Sequence, residues 1–120
     1  MNRTRILAAT GVAALTAGAL GAAVATAAPP KLMASVSDPL NISLTQAGKK
    51  VTKLKAGTYT IVVSDKAADH NFHLSGPGVN KLTSVGGKGT TTWTVTLRKG
   101  TYTYVCDPHA SFMKGSFTVS

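Results

Sequence analysis

The sequence predicts an all-β domain, a Greek-key β-sandwich of about seven or eight strands. Three observations carry this. Thr92-Trp93-Thr94-Val95-Thr96-Leu97 alternates strictly, with Trp93, Val95 and Leu97 on one face and threonines on the other, which is the period of a half-buried strand. Gly57-Thr58-Tyr59-Thr60-Ile61-Val62 is closely repeated as Gly100-Thr101-Tyr102-Thr103-Tyr104-Val105, each copy entered from a lysine-bearing turn. Beyond residue 30 the chain is a series of short runs rich in Thr, Val and Tyr, punctuated by Gly and Pro at sandwich spacing, with no helical period.

Residues 1–27 read as a secretory signal peptide. Arg3 and Arg5 give a positive start, residues 6–28 carry no charge, and Ala25-Thr26-Ala27 fits an A-x-A cleavage site. The uncharged run is long enough to cross a bilayer, so an uncleaved anchor is the alternative, although a run of Ala, Gly and Thr is only weakly apolar and favours cleavage. No Cys stands at the cleavage region to accept a lipid, and Arg3-Thr4-Arg5 is not a twin-arginine pair. The protein is therefore expected to be exported, periplasmic or extracellular, with no membrane insertion once the leader is removed.

Residues 28–31, with Pro29-Pro30, form a flexible link, and residues 32–120 form one domain. Strands are expected at 32–37, 41–45, 57–62, 70–74, 92–97, 101–106 and 114–119. Turns fall at Gly76-Pro77-Gly78, Gly86-Gly87 and Arg98-Lys99-Gly100, and residues 65–69 and 78–90 read as irregular. Lysines and bends are expected to protect the sheet edges.

The chain carries 13 Lys and Arg against 4 acidic residues, all Asp; without Arg3 and Arg5 the net charge is +7. The cations are spread singly or in pairs through the turns, without a basic helix or an aromatic-interleaved stripe, which argues against nucleic acid. A solvated surface and an acidic redox partner are the readings left. A domain of this size is expected to be a monomer with a modest core. In an exported protein cysteines usually pair, yet Cys106 is the only one. It is buried and inert, paired between chains, or held as a thiolate by a metal.

In strand parity His70 shares a face with Phe72 and Leu74, and His73 falls with Asn71 on the other. An imidazole ending an apolar row beside a loop suits a buried metal, so His70 is the candidate and His73 an exposed polar-face residue. Cys106 ends the apolar face of its strand, and His109 follows across Asp107-Pro108, a gap that lets a tight loop, stiffened by Pro108, turn both donors onto one ion. Met113 follows. One thiolate, two imidazoles and a thioether are the donor set of a blue-copper electron-transfer site. A Cys–His catalytic pair would need a substrate cleft for which so small a domain has little room, and structural zinc prefers more thiolates. An enzyme is not expected.

With these residues in order, residues 32–120 resemble the cupredoxins of the plastocyanin, pseudoazurin and amicyanin type. The shared pattern is His70-Asn71, then Cys106-Asp107-Pro108-His109 and Met113, then the closing strand Gly115-Ser116-Phe117-Thr118-Val119. The resemblance implies one copper per chain, with His70, Cys106 and His109 as strong trigonal ligands and Met113 as the long axial one. It implies that Asn71 joins the His70 loop to the Cys106 loop by hydrogen bonding. Two departures stand out. Three residues separate His109 from Met113, where plastocyanin-like loops have one more and amicyanin-like loops one fewer, and Asp107 takes a place usually held by Ser or Thr. An anion there alters the bridge to Asn71 and lowers the potential. The function implied is single-electron shuttling, through an apolar patch of Gly76-Pro77-Gly78, Pro108, Ala110 and Phe112 around the His109 edge. The alternative is a copper carrier or sequestering protein using the same ligands.

Overall fold

The computed structural model describes residues 27–120, so the expected leader lies outside the described residues except for Ala27. Ten strands form two five-stranded sheets. They are β1 (Lys31–Ser37), β2 (Asn41–Gln46), β3 (Lys49–Lys50), β4 (Lys53–Leu54), β5 (Gly57–Asp65), β6 (His73–Gly76), β7 (Val79–Leu82), β8 (Gly89–Leu97), β9 (Gly100–Val105) and β10 (Lys114–Val119). One sheet runs β3-β2-β1-β5-β8 and the other β4-β10-β9-β6-β7. Neighbours are antiparallel except β1 with β5 and β10 with β4, the crossovers that make the sandwich.

The alternating pattern builds the core. Leu32, Ala34 and Val36 of β1, Tyr59, Ile61 and Val63 of β5, and Trp93, Val95 and Leu97 of β8 point inward from one sheet. Leu74, Tyr102, Tyr104, Phe117 and Val119 meet them from the other. Tyr104 stacks on Phe72 at 5.5 Å between ring centroids, and Tyr102 on Phe117 at 5.3 Å. Tyr102 Oη also ties two turns together, donating to the Pro77 carbonyl at 2.8 Å and accepting from the Arg98 N–H at 2.9 Å.

Both tyrosine rings lie flat over glycines on adjacent strands. A Cβ at Gly76 would come within 2.3 Å of the Tyr102 ring, and one at Gly115 within 2.3 Å of the Tyr104 ring. Gly115 opposes Tyr104 in the β9–β10 register, so the ring cannot leave without opening the core. Gly115→Ala is therefore expected to cost about 1–3 kcal/mol by overpacking. A thermal melt of the copper-free protein unchanged from the parent would show that the ring has room to move.

Two sequence expectations are corrected. The strand placed at 70–74 begins at His73, and residues 70–72 belong to no ladder. Without a ladder the alternation does not apply: His70, Asn71 and Phe72 are all buried, so Asn71 points inward rather than sharing a face with His73. Within 78–90, read as irregular, lies β7, which pairs with β6 across the Pro77-Gly78 turn. Its signal is weak because only Val79 of its four residues is buried.

Connections 38–40, 66–72, 83–88 and 106–113 gather at one end of the sandwich, here the site end. The turns 47–48, 55–56, 77–78 and 98–99 gather at the other, the far end.

Candidate metal centre

The Cys106 loop is shaped by its own backbone. Asp107–His109 form one 3-10 turn with Pro108 inside it, where a fixed φ and a missing N–H fit a first helical turn. The His109 N–H donates to the Cys106 carbonyl at 3.0 Å, and the Phe112 and Met113 N–H groups donate to the His109 carbonyl at 2.9 and 2.8 Å. The Cys106 N–H closes the loop on the Met113 carbonyl at 3.0 Å. Three residues between His109 and Met113 thus form a closed turn, and Met113 is wholly buried in the core cluster that contains Cys106.

His70 enters from the 66–72 connection. His70 Nδ1 lies 3.2 Å from His109 Nδ1, and Cys106 Sγ lies 3.6 Å from each. A near-equilateral triangle of these edges has its centre about 2 Å from every donor, close to a metal–imidazole bond length of about 2.0–2.1 Å. His70 and Cys106 are buried and His109 is partly exposed. The donor set and its spacing fit a single soft-to-borderline ion.

Outer partners fix the donors. His70 Nε2 stands 3.1 Å from the Pro39 carbonyl and 3.1 Å from Asp38 Oδ1; donation there leaves Nδ1 as the free lone pair. The Asn71 N–H points at Cys106 Sγ at 3.5 Å. Asn71 Oδ1 accepts from the Asp107 N–H at 2.7 Å, while Nδ2 donates to Asp107 Oδ2 at 2.7 Å and to the Thr83 carbonyl at 3.2 Å. Asp107 therefore keeps the bridge to Asn71 and adds a second bond to it.

His73, as its parity predicts, faces outward, away from the donor triangle. Its partners have no local signature: Nδ1 meets Asp107 Oδ1 at 2.9 Å, and Nε2 meets Asn80 Oδ1 at 2.6 Å. Both bonds call for the doubly protonated ring. The Asn80 bond first, then the Asp107 bond, hold its pKa above the usual 6.5 against partial desolvation. For Asp107, desolvation favours the neutral acid, but the bonds from Asn71 and His73 and the attraction of His73 prevail and hold its carboxyl below 3.8.

The sign of the pH effect follows. The raised His73 contributes stability below its unfolded pKa and loses it as pH rises through the folded value. The lowered Asp107 contributes above its unfolded pKa and loses it as pH falls through the folded value. The pair counts most between about pH 4 and 6.5. Asp107→Asn should accordingly lag the parent in denaturant midpoint more at pH 5.5 than at pH 9; a gap that does not narrow at pH 9 would mean that His73 is not protonated.

The sequence also placed Gly76-Pro77-Gly78 beside His109. They lie at the far end, where the Pro77 ring would crowd a Cβ on Gly100 at 2.7 Å. The site-end rim instead offers Phe112, 77% exposed, and Leu40, 45% exposed, the latter next to the Pro39 that holds His70. Leu40 was missed because its loop joins the site only through the fold.

A family model described as copper binding proteins, plastocyanin/azurin family, matches residues 38–120. No curated protein sequence matches the chain. Among solved structures, reduced rusticyanin is 22% identical with a TM-score of 0.54, over 75% of this chain and 78% of that one. A point mutant of rusticyanin is 24% identical with a TM-score of 0.56, over 75% and 76% of the two chains. At these identities the likeness establishes the shared fold.

Proposed function

The chain belongs to the plastocyanin/azurin family of copper-binding proteins, and from that premise we propose that it is an exported blue-copper protein that shuttles single electrons through His70, Cys106, His109 and Met113. Copper is its cofactor, one ion per chain, supplying a one-electron couple between Cu(I) and Cu(II). The observation that carries the reading is the triangle of Cys106 Sγ and the two Nδ1 atoms at 3.2–3.6 Å, assembled by the protein's own hydrogen bonds. A preorganised site needs little rearrangement on electron transfer, which favours a shuttle over a copper carrier. Export rests on the leader-like residues 1–27.

His109 is the partly exposed donor, so electrons pass at the rim that bears Phe112, Ala110, Pro108 and Leu40. The four Asp residues equal in number the lysines of this half of the domain, so the rim carries no excess cation and an apolar partner surface fits it better than an acidic one. Phe112→Asp should slow reduction of the protein by its redox partner while leaving the visible spectrum in place.

Met113 tests the axial assignment. A weak axial donor tunes the couple more than it holds the ion, so Met113→Leu should retain copper and colour and raise the potential. Loss of copper, or a spectrum and potential both unchanged, removes Met113 from the ligand set.

A further inference from the structure

The charge of this domain is divided between its ends. All four acidic residues stand at the site end: Asp38 between β1 and β2, Asp65 closing β5, Asp69 before β6 and Asp107 after β9. Lys66, Lys81, Lys88 and Lys114 share that half and balance them. The other seven cations lie toward the far end: Lys31, the pair Lys49-Lys50, Lys53, Lys55 and the pair Arg98-Lys99. The whole +7 is therefore at one pole.

Register places these residues together. Gly57, two residues after Lys55, opposes Leu97, which precedes Arg98. Lys53 pairs with Thr118, and the Ala56 N–H donates to the Ser120 carbonyl at 2.9 Å. Lys49 and Lys50 pair with Gln46 and Thr45, the far end of β2. All seven are exposed, and among the described residues none is in an ion pair.

A pole of like charge spread over several turns and strand ends suits an extended anionic surface rather than a groove ligand. The chain supplies a second observation. β1 starts at Lys31 near this pole, with the Pro30 carbonyl accepting from the Thr60 N–H at 2.9 Å, so this is the pole the leader adjoins before cleavage and the one that the uncleaved alternative, an uncharged, bilayer-length run 6–28, would hold at the bilayer. We propose that the far pole docks on anionic lipid headgroups and holds the site end away from the bilayer. Basic residues near such a surface gain attraction that decays within a Debye length.

The test uses the copper-loaded full chain, sedimented with vesicles of phosphatidylcholine alone or with one-third phosphatidylglycerol. Binding should require phosphatidylglycerol and weaken steeply as salt rises. Reversing Lys49, Lys50, Lys53 and Lys55 to Glu should weaken it at least about 100-fold, whereas the same change at Lys66, Lys81, Lys88 and Lys114 should cost far less. Equal loss from both sets would reduce the effect to net charge and overturn the pole. Binding that neither salt nor the first set removes would assign it to the N-terminal segment, and binding to soluble polyglutamate without vesicle binding would assign the pole to an acidic protein; either overturns the proposal. Hydroquinone should reduce vesicle-bound and free protein at equal rates. A tenfold slowing on vesicles would mean that the site end faces the lipid. The vesicle arm reads lipid binding with or without copper, so its failure is separate from failure of the redox reading.

Discussion

Cys106→Ser should abolish the intense visible absorption expected of the Cu(II) protein and weaken Cu(II) binding by more than the 10–100-fold typical of losing an outer partner of a metal ligand. The colour arises from charge transfer out of a thiolate, and Cys106 is the only cysteine in the chain. The fold should survive, because a hydroxyl is smaller than the thiol and can still accept from the Asn71 N–H that now points at Sγ from 3.5 Å. His70→Ala and His109→Ala should each remove the same band, since each deletes one corner of the triangle. His73→Ala should leave it nearly intact, because its ring is bonded to Asp107 and Asn80 instead. Absorption spectra of the four variants with Cu(II) check this together. Colour persisting in Cys106→Ser removes the blue-copper reading, and equal damage from all three histidines removes the site as drawn.

The donors were legible in the sequence because each lies where local pattern ends in a loop. Cys106 follows the alternating Tyr102 and Tyr104, and Pro108 marks the turn to His109. What was not legible depends on pairing between distant segments. Asn71 was given the wrong face because strand parity was carried back across 70–72, where no partner strand enforces it. β3 and β4 are two residues each and exist only through their neighbours. Gly76-Pro77-Gly78 was set at the wrong end because the sequence does not state which way β6 runs from His70. The charge poles have the same origin: lysines scattered along the chain converge once β2, β4, β5 and β8 are in register. The link from Asp107 through His73 to Asn80 joins three elements and has no local signature.

Asn71→Ala is expected to destabilise the copper-free protein by about 2–4 kcal/mol, because a buried donor or acceptor left without a partner costs about 1–3 kcal/mol. The substitution strands the Asp107 N–H and the Thr83 carbonyl, bonded now at 2.7 and 3.2 Å, and removes the side chain that ties 66–72 to both 83–88 and 106–113, leaving the Phe72–Thr83 bonds and the Asn71 N–H on Cys106 Sγ. Asn71→Asp has the same shape and separates this clamp from mere filling of space. Its new carboxylate can still accept from the Asp107 N–H, but it sets a second oxygen where Nδ2 meets Asp107 Oδ2 at 2.7 Å. Two carboxylates that close cannot both ionise without cost, so one of them has its folded pKa raised. A raised pKa means the penalty is present at pH 7 and is relieved as pH falls and a proton restores the missing donor. Asn71→Asp should therefore lose at least as much as Asn71→Ala at pH 7 and regain ground on the parent toward pH 5, whereas Asn71→Ala should show no such recovery. Urea unfolding of the three proteins at both pH values decides it: an Asn71→Ala variant within 0.5 kcal/mol of the parent would dismiss the clamp, about the spread of an ordinary surface substitution, and an Asn71→Asp variant that gains nothing at pH 5 would dismiss the contact with Asp107.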